Sequence, residues 1–185
     1  HDPESGAVFV NKRNAIHYEN MSIALAESVA NQGQGFINSM AFGNGGTSVD
    51  PTGIITYLTP NSTGTNASLY NQTYSKVVDD RSVTNLDPQR NKIETRHVNG
   101  TNYTDVLVTC LLDYGEPNGQ DAVDQASQAN SLYVFDELGL VSYSPNGTGK
   151  LLTHVVFHPV QKSLNRLVQI DYTVRVQSLT GFNEG

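Results

Sequence analysis

At 185 residues and 37% hydrophobic content, the chain has room for one domain and one core. A net charge of −7 leaves no basic surface for nucleic acid or an anionic membrane. The single cysteine, Cys110, excludes an internal disulfide framework and a multi-cysteine zinc site, and no apolar run approaches the roughly 20 residues that span a bilayer.

The first residue is His1 and not Met, which predicts a processed or trimmed N-terminus, and no signal peptide is visible. "HDPES" opens a flexible arm over residues 1–15. Residues 16–33 read as a helix: Met21, Leu25 and Val29 repeat every fourth position, Asn20 or Ser22 can cap it, and the "GQG" at Gly33–Gly35 ends it. The remainder, 34–180, reads as β-rich, with 181–185 as a tail. Two short strands are expected around Phe36–Phe42 and Ile54–Leu58, split by a glycine-rich loop. Leu69, Tyr70, Tyr74 and Val77 fit one helical face, which predicts a second short helix over Ala67–Val78. "NKIETRHV", Asn99-Gly100 and "TNYTDVLVTCLLDY" predict a β-hairpin, since Asn-Gly supplies the two positive φ angles of a type I′ turn. Three strands close the chain: "SLYVFDELGLVSYS", "KLLTHVVFHP" and "NRLVQIDYTVRVQS". In the last, Val168, Ile170, Tyr172, Val174 and Val176 alternate with polar residues. The fold class expected is mainly β, an antiparallel β-sandwich-like domain with an N-terminal helix and one further short helix.

His154 and His158 stand four apart, a metal-binding spacing on a helix. The β-branched and aromatic residues between them favour a strand, in which the two lie roughly 13 Å apart and cannot share one ion. "FGNGGTSVDPTG" (Phe42–Gly53) has the glycines of a phosphate-binding loop. It lacks the Lys-Ser/Thr ending and is followed by Pro51, so it reads as a turn-rich loop. Asp113, Glu116, Asp121 and Asp124 contain calcium-type oxygens without EF-hand spacing and read as a solvated acidic loop. The doublets Asp79-Asp80 and Asp136-Glu137 should point to opposite faces of a strand and form no local dyad. Cys110, inside "DVLVTCLLDY", reads as an inert buried thiol. Sequons at Asn20, Asn61, Asn66, Asn71, Asn99, Asn102 and Asn146 are what a chain rich in Asn, Ser and Thr produces by chance. There is no G-x-S-x-G elbow, and no catalytic constellation emerges.

An ordered set of motifs remains. It comprises Gly43-Asn44-Gly45, Leu69-Tyr70-Asn71-Gln72-Thr73-Tyr74, Glu137-Leu138-Gly139-Leu140-Val141, and Leu151-Leu152 through Phe157, Pro159 and Lys162. Over about residues 36 to 178 this order resembles the N-terminal, particle-attaching domain of tailed-bacteriophage tail-collar fibre proteins. Two departures stand out: the N-terminal helix, and a chain that stops soon after the last strand where such fibres continue into shafts and tips. The resemblance implies a virion component without catalysis or cofactor, located in the phage particle. Its implied partners are copies of itself, as a homo-oligomer, and other virion proteins.

Interface residues are expected on the helix stripe Met21, Leu25 and Val29, and in the segment holding His158, Pro159 and Lys162. A capsid decoration protein is a neighbouring alternative. A carbohydrate-binding adhesin module is an alternative of another class, limited by the absence of Trp but served by nine Tyr. A hydrolase using scattered acids would require a cleft holding a carboxyl with a raised pKa.

Overall fold

The alternation in the last strand sets the architecture. In the computed structural model, which describes residues 1–117 and 132–178, Val168, Tyr172 and Val174 are buried while Asp171, Thr173 and Arg175 face solvent. In chain order the elements are β1 (Ala15–Ile16), α1 (Tyr18–Val29), β2 (Ile37–Gly43), β3 (Thr47–Val49) and β4 (Ile55–Tyr57). They continue with β5 (Gln72–Val77), β6 (Lys92–His97), β7 (Tyr103–Leu112), β8 (Leu132–Ser142), β9 (Thr153–Ser163) and β10 (Val168–Gln177).

Every pairing is antiparallel. One sheet runs β1-β9-β8-β2-β5, a second β10-β7-β6, and β3-β4 form a separate hairpin. The two larger sheets share one core. Met40, Phe42, Leu138, Leu140 and Phe157 from the first pack with Val108, Cys110, Leu112, Val168 and Tyr172 from the second. This is the mainly β, sandwich-like class expected, with a single helix among the described residues.

The second expected helix is a strand. Residues 72–77 form β5, whose register sets Tyr74 opposite Phe42, with ring centroids 5.9 Å apart. Cross-strand aromatic packing, together with Thr73 and Val77, outweighs the helical spacing of the apolar residues.

Helix α1 is shorter than the 16–33 expected, and neither of its ends is the one predicted. Its N-cap is His17, whose Nδ1 accepts the Asn20 N–H at 3.1 Å. At the other end Asn31 takes φ of 55°, with Gln32 N–H donating to Glu27 O and Asn31 N–H to Ser28 O. That is a Schellman closure, completed before the glycines begin. The buried face is Asn20 and Ala24. Met21 packs on the core, but Leu25 is exposed and Val29 is 87% exposed. A four-residue repeat drifts about 40° per step on a 3.6-residue helix, so the stripe turns outward along its length.

The hairpin of β6 and β7 is present, pairing His97 with Thr104. Only Gly100 has a positive φ, at 86°, so its turn is not the type I′ turn predicted. The N-terminal arm is laid across the open side of the sandwich. His1 and Gln169 exchange backbone hydrogen bonds, Phe9 and Val10 pack on the core, and the Arg166 guanidinium sits 4.2 Å over the Phe9 ring.

Candidate functional site

The motifs converge on one carboxylate. Glu137 is completely buried in β8. Its Oε1 accepts the N–H groups of Gly45 (3.2 Å) and Asn71 (2.8 Å), and its Oε2 accepts that of Tyr70 (3.0 Å) and the His154 Nε2–H (2.8 Å). Burial pushes this carboxyl up, but the four donors outweigh it and hold it below its ordinary value of 4.5. The glycine-rich loop, the Leu-Tyr-Asn segment, the Glu-Leu-Gly-Leu strand and the following strand are therefore tied at a single buried point.

His154 has no nitrogen to lend to chemistry. Its Nδ1 receives the Asn61 backbone N–H at 2.7 Å. A backbone N–H can only donate, so Nδ1 carries no proton and the ring is the neutral Nε2–H tautomer. The Glu137–His154 contact is thus a hydrogen bond within a fixed network and not a relay with a free end. It also ties in the segment that follows β4.

Asp136 completes the junction. Gly46 N–H donates to Oδ1 at 2.9 Å, while the Thr47 N–H and hydroxyl donate to Oδ2 at 2.9 and 2.5 Å. The expectation that Asp136 and Glu137 point to opposite faces fails. Tyr133 and Phe135 are in the core, as are Leu138 and Leu140, so the alternation slips by one between them. On the facing strand, Phe135 pairs with Val160 and Glu137 with Val156, leaving three residues of β9 opposite one of β8. Pro159 lies in that bulge, where its missing N–H does not interrupt the ladder. The slip brings both acids to the same loop.

The loop does have the anion-binding geometry that its glycines suggest. Three successive amides, Gly45 to Thr47, converge on negative oxygens, and these oxygens belong to Glu137 and Asp136. The glycines are required by space. A Cβ on Gly43 would overlap Asn71 O and Glu137 Oε1, and one on Gly139 would overlap Thr153 O.

The expected interface residues separate. His158 is exposed and Pro159 half-buried. Lys162 is 1% exposed, which removes it from any surface. Its Nζ donates to the carbonyls of Asp113 (2.9 Å), Glu116 (2.7 Å) and Ser163 (2.8 Å). Burial lowers its pKa from 10.5 to about 8. A lysine after a Pro-containing strand looks solvent-facing in sequence, and only the bulge reveals that it turns inward. In the acidic segment, Asp113 pairs with Arg90 and Glu116 with Lys76, while Asp121 and Asp124 lie outside the described residues. Among the described residues no group of three or more His, Cys, Asp or Glu is placed to hold a metal ion, and no helix is long and apolar enough to cross a membrane. Burial pushes the Cys110 thiol up to about 12. Asn20 is buried, with its amide donating to Leu151 O, so that sequon is closed in the folded chain.

Sequence reasoning did not find the surface of the β3–β4 hairpin. It is closed at its base by Gly46 O, which accepts the Leu58 N–H, and anchored through Asp136, and it leaves Val49 and Ile54 more than 60% exposed beside Tyr57 and Leu58. The turn is fixed by Asp50, whose Oδ1 accepts the N–H groups of Thr52 and Ile54. No protein-family model matches the chain, and no curated protein is significantly similar to it.

Proposed function

We propose that the chain is a non-enzymatic structural component of a tailed-phage virion, an oligomeric tail, baseplate or collar protein that docks on copies of itself and on other particle proteins. The observation that carries this reading is the convergence of the motifs. Four segments spread from Gly43 to His154 meet at one buried carboxylate. A pattern that looks like scattered short matches in sequence is thereby a single physical unit, which supports reading the resemblance as one of whole domains.

The use of the ionisable groups supports the non-catalytic part. Glu137, Asp136, His154 and Lys162 are engaged with backbone amides and carbonyls, holding loops in place. The exposed hairpin residues Val49, Ile54, Tyr57 and Leu58 form the kind of apolar surface that association covers. Mass spectrometry of purified particles, combined with light scattering of the isolated protein over a wide concentration range, tests the proposal. Presence in the particle and a concentration-dependent oligomer weakened by Ile54→Ser are expected. A chain that stays monomeric at high concentration and is absent from particles overturns it.

A further inference from the structure

We propose that the cleft between β2, the segment after β5 and β6 is a binding site for a neutral saccharide. This rests on the cleft itself and not on the virion reading. The cavity measures about 730 Å³, within the roughly 300–1,000 Å³ of small-ligand sites. Phe36 and Tyr143 stand at its rim as a parallel pair, ring centroids 5.0 Å apart and 8° from coplanar. Their backbones hold them in register, since Tyr143 N–H donates to Phe36 O at 2.7 Å and Gly35 N–H to Tyr143 O at 3.2 Å. Both residues are exposed, and stacking leaves each ring only its outer face. An outer face of the stacked pair offers an apolar platform to the C–H face of a pyranose, and the tyrosine adds a hydroxyl.

Polar groups that suit sugar hydroxyls face the same space. Asp79 and Asp80 each use one carboxylate oxygen internally: Asp79 Oδ1 accepts the Arg81 N–H and Asp80 Oδ1 the Ile93 N–H. No hydrogen bond from a described residue engages their Oδ2 atoms. The Arg81 guanidinium and the Asn38 side-chain amide likewise make no hydrogen bond or ion pair among the described residues. Carboxylates, an amide and a guanidinium are planar two-point groups, matched to vicinal hydroxyls. The site is preformed: Val78 and Asp79 N–H both donate to Asn38 O, and Asn85 Nδ2–H donates to Asp79 O.

Charge selects the class of sugar. Two carboxylates against one guanidinium, in a chain of net charge −7, disfavour uronic or sialic acids and nucleic acid. An added β-strand is the competing occupant at the outer edge of β6, which pairs with no other strand among the described residues. Lys92, Glu94 and Arg96 along that edge are the charges that block strand addition.

The test is a glycan array carrying neutral and acidic saccharides, followed by calorimetry with the best neutral hit. Arg81→Ala and Asp80→Asn alter exposed side chains, and an unchanged melting temperature shows that each variant is folded. Binding of neutral glycans, weakened at least tenfold by either substitution, is expected. Tyr143→Leu, which keeps bulk but removes the ring, should weaken it similarly. The proposal is overturned if neutral glycans are not bound, if only acidic glycans bind, or if binding survives all three substitutions. Capture of an extended peptide at this cleft in place of sugar also overturns it.

Discussion

Replacing Glu137 with glutamine tests the central junction without changing its volume. The carboxylate accepts from four donors, two on each oxygen. An amide keeps one oxygen, so two buried donors lose their acceptor and meet an N–H₂ group instead. If the amide nitrogen faces Oε1's partners, the Gly45 and Asn71 amides are orphaned. If it faces Oε2's, Tyr70 and His154 are, and His154 cannot switch tautomer because Asn61 N–H requires Nδ1 as acceptor. At about 1–3 kcal/mol for each unsatisfied donor, Glu137→Gln should cost ~4 kcal/mol. In a chain of this size that lowers the melting temperature by about 8–16 °C. Urea denaturation at pH 7 measures it, with Glu94→Gln, at an exposed position, as the control expected to stay within about 0.5 kcal/mol of the parent protein. The pH dependence supplies a second readout. The folded carboxyl is held below 4.5, so its stabilisation is present above that value and is lost as pH falls through the folded pKa. The variant should lack that part of the acid-side loss. A cost below about 1 kcal/mol relative to the control would refute the claim that this carboxylate organises the loops.

Three further outcomes follow from other positions. Lys162→Met removes three hydrogen bonds and leaves Glu116 O without a donor among the described residues, while Asp113 O and Ser163 O keep the Glu116 and Arg166 N–H groups; it should cost about 1–3 kcal/mol in urea denaturation. Because the folded pKa is lowered to about 8 from 10.5, the parent protein should gain stability as pH rises between those values, and the variant should not. Gly139→Ala forces β8 and β9 apart at Thr153 O and should cost about 3 kcal/mol. Gly100→Ala meets open space but a φ of 86° and should cost only about 1 kcal/mol; equal losses in thermal melts would contradict the packing argument. Cys110, fully buried with its thiol pushed up to about 12, should resist a thiol-specific reagent in the native protein and react on unfolding; rapid native labelling would show an open core.

β10 was legible because alternation is a local signal, and the β6–β7 hairpin because Asn99-Gly100 marks a turn between two strand-like runs. β5 was not, since Leu69, Tyr70, Tyr74 and Val77 satisfy a helical spacing and what decides the matter is Phe42, some 30 positions away. The slip at Asp136–Glu137 was hidden for a related reason: it depends on Pro159 and the bulge of the neighbouring strand. Lys162 shows the limit for charged residues, because its burial is set by carbonyls of Asp113 and Glu116 that no local pattern connects to it. The motifs themselves were visible, and what sequence could not supply was that they are contacts of one another.

The carboxylate-filled glycine loop also has a consequence for the order in which the chain becomes a structure. The amides at Gly45–Thr47 and Tyr70–Asn71 lie early in the chain, whereas the acids that satisfy them are at 136 and 137. Until β8 has been synthesised and threaded beside β2, those amides have only water, and the hairpin they support has no anchor. The first half of the protein therefore waits on the second, and folding is governed by long loop closures more than by local turns. A nascent chain ending before Leu132 should be unable to hold the β3–β4 hairpin in place, even though every residue of that hairpin has already been made.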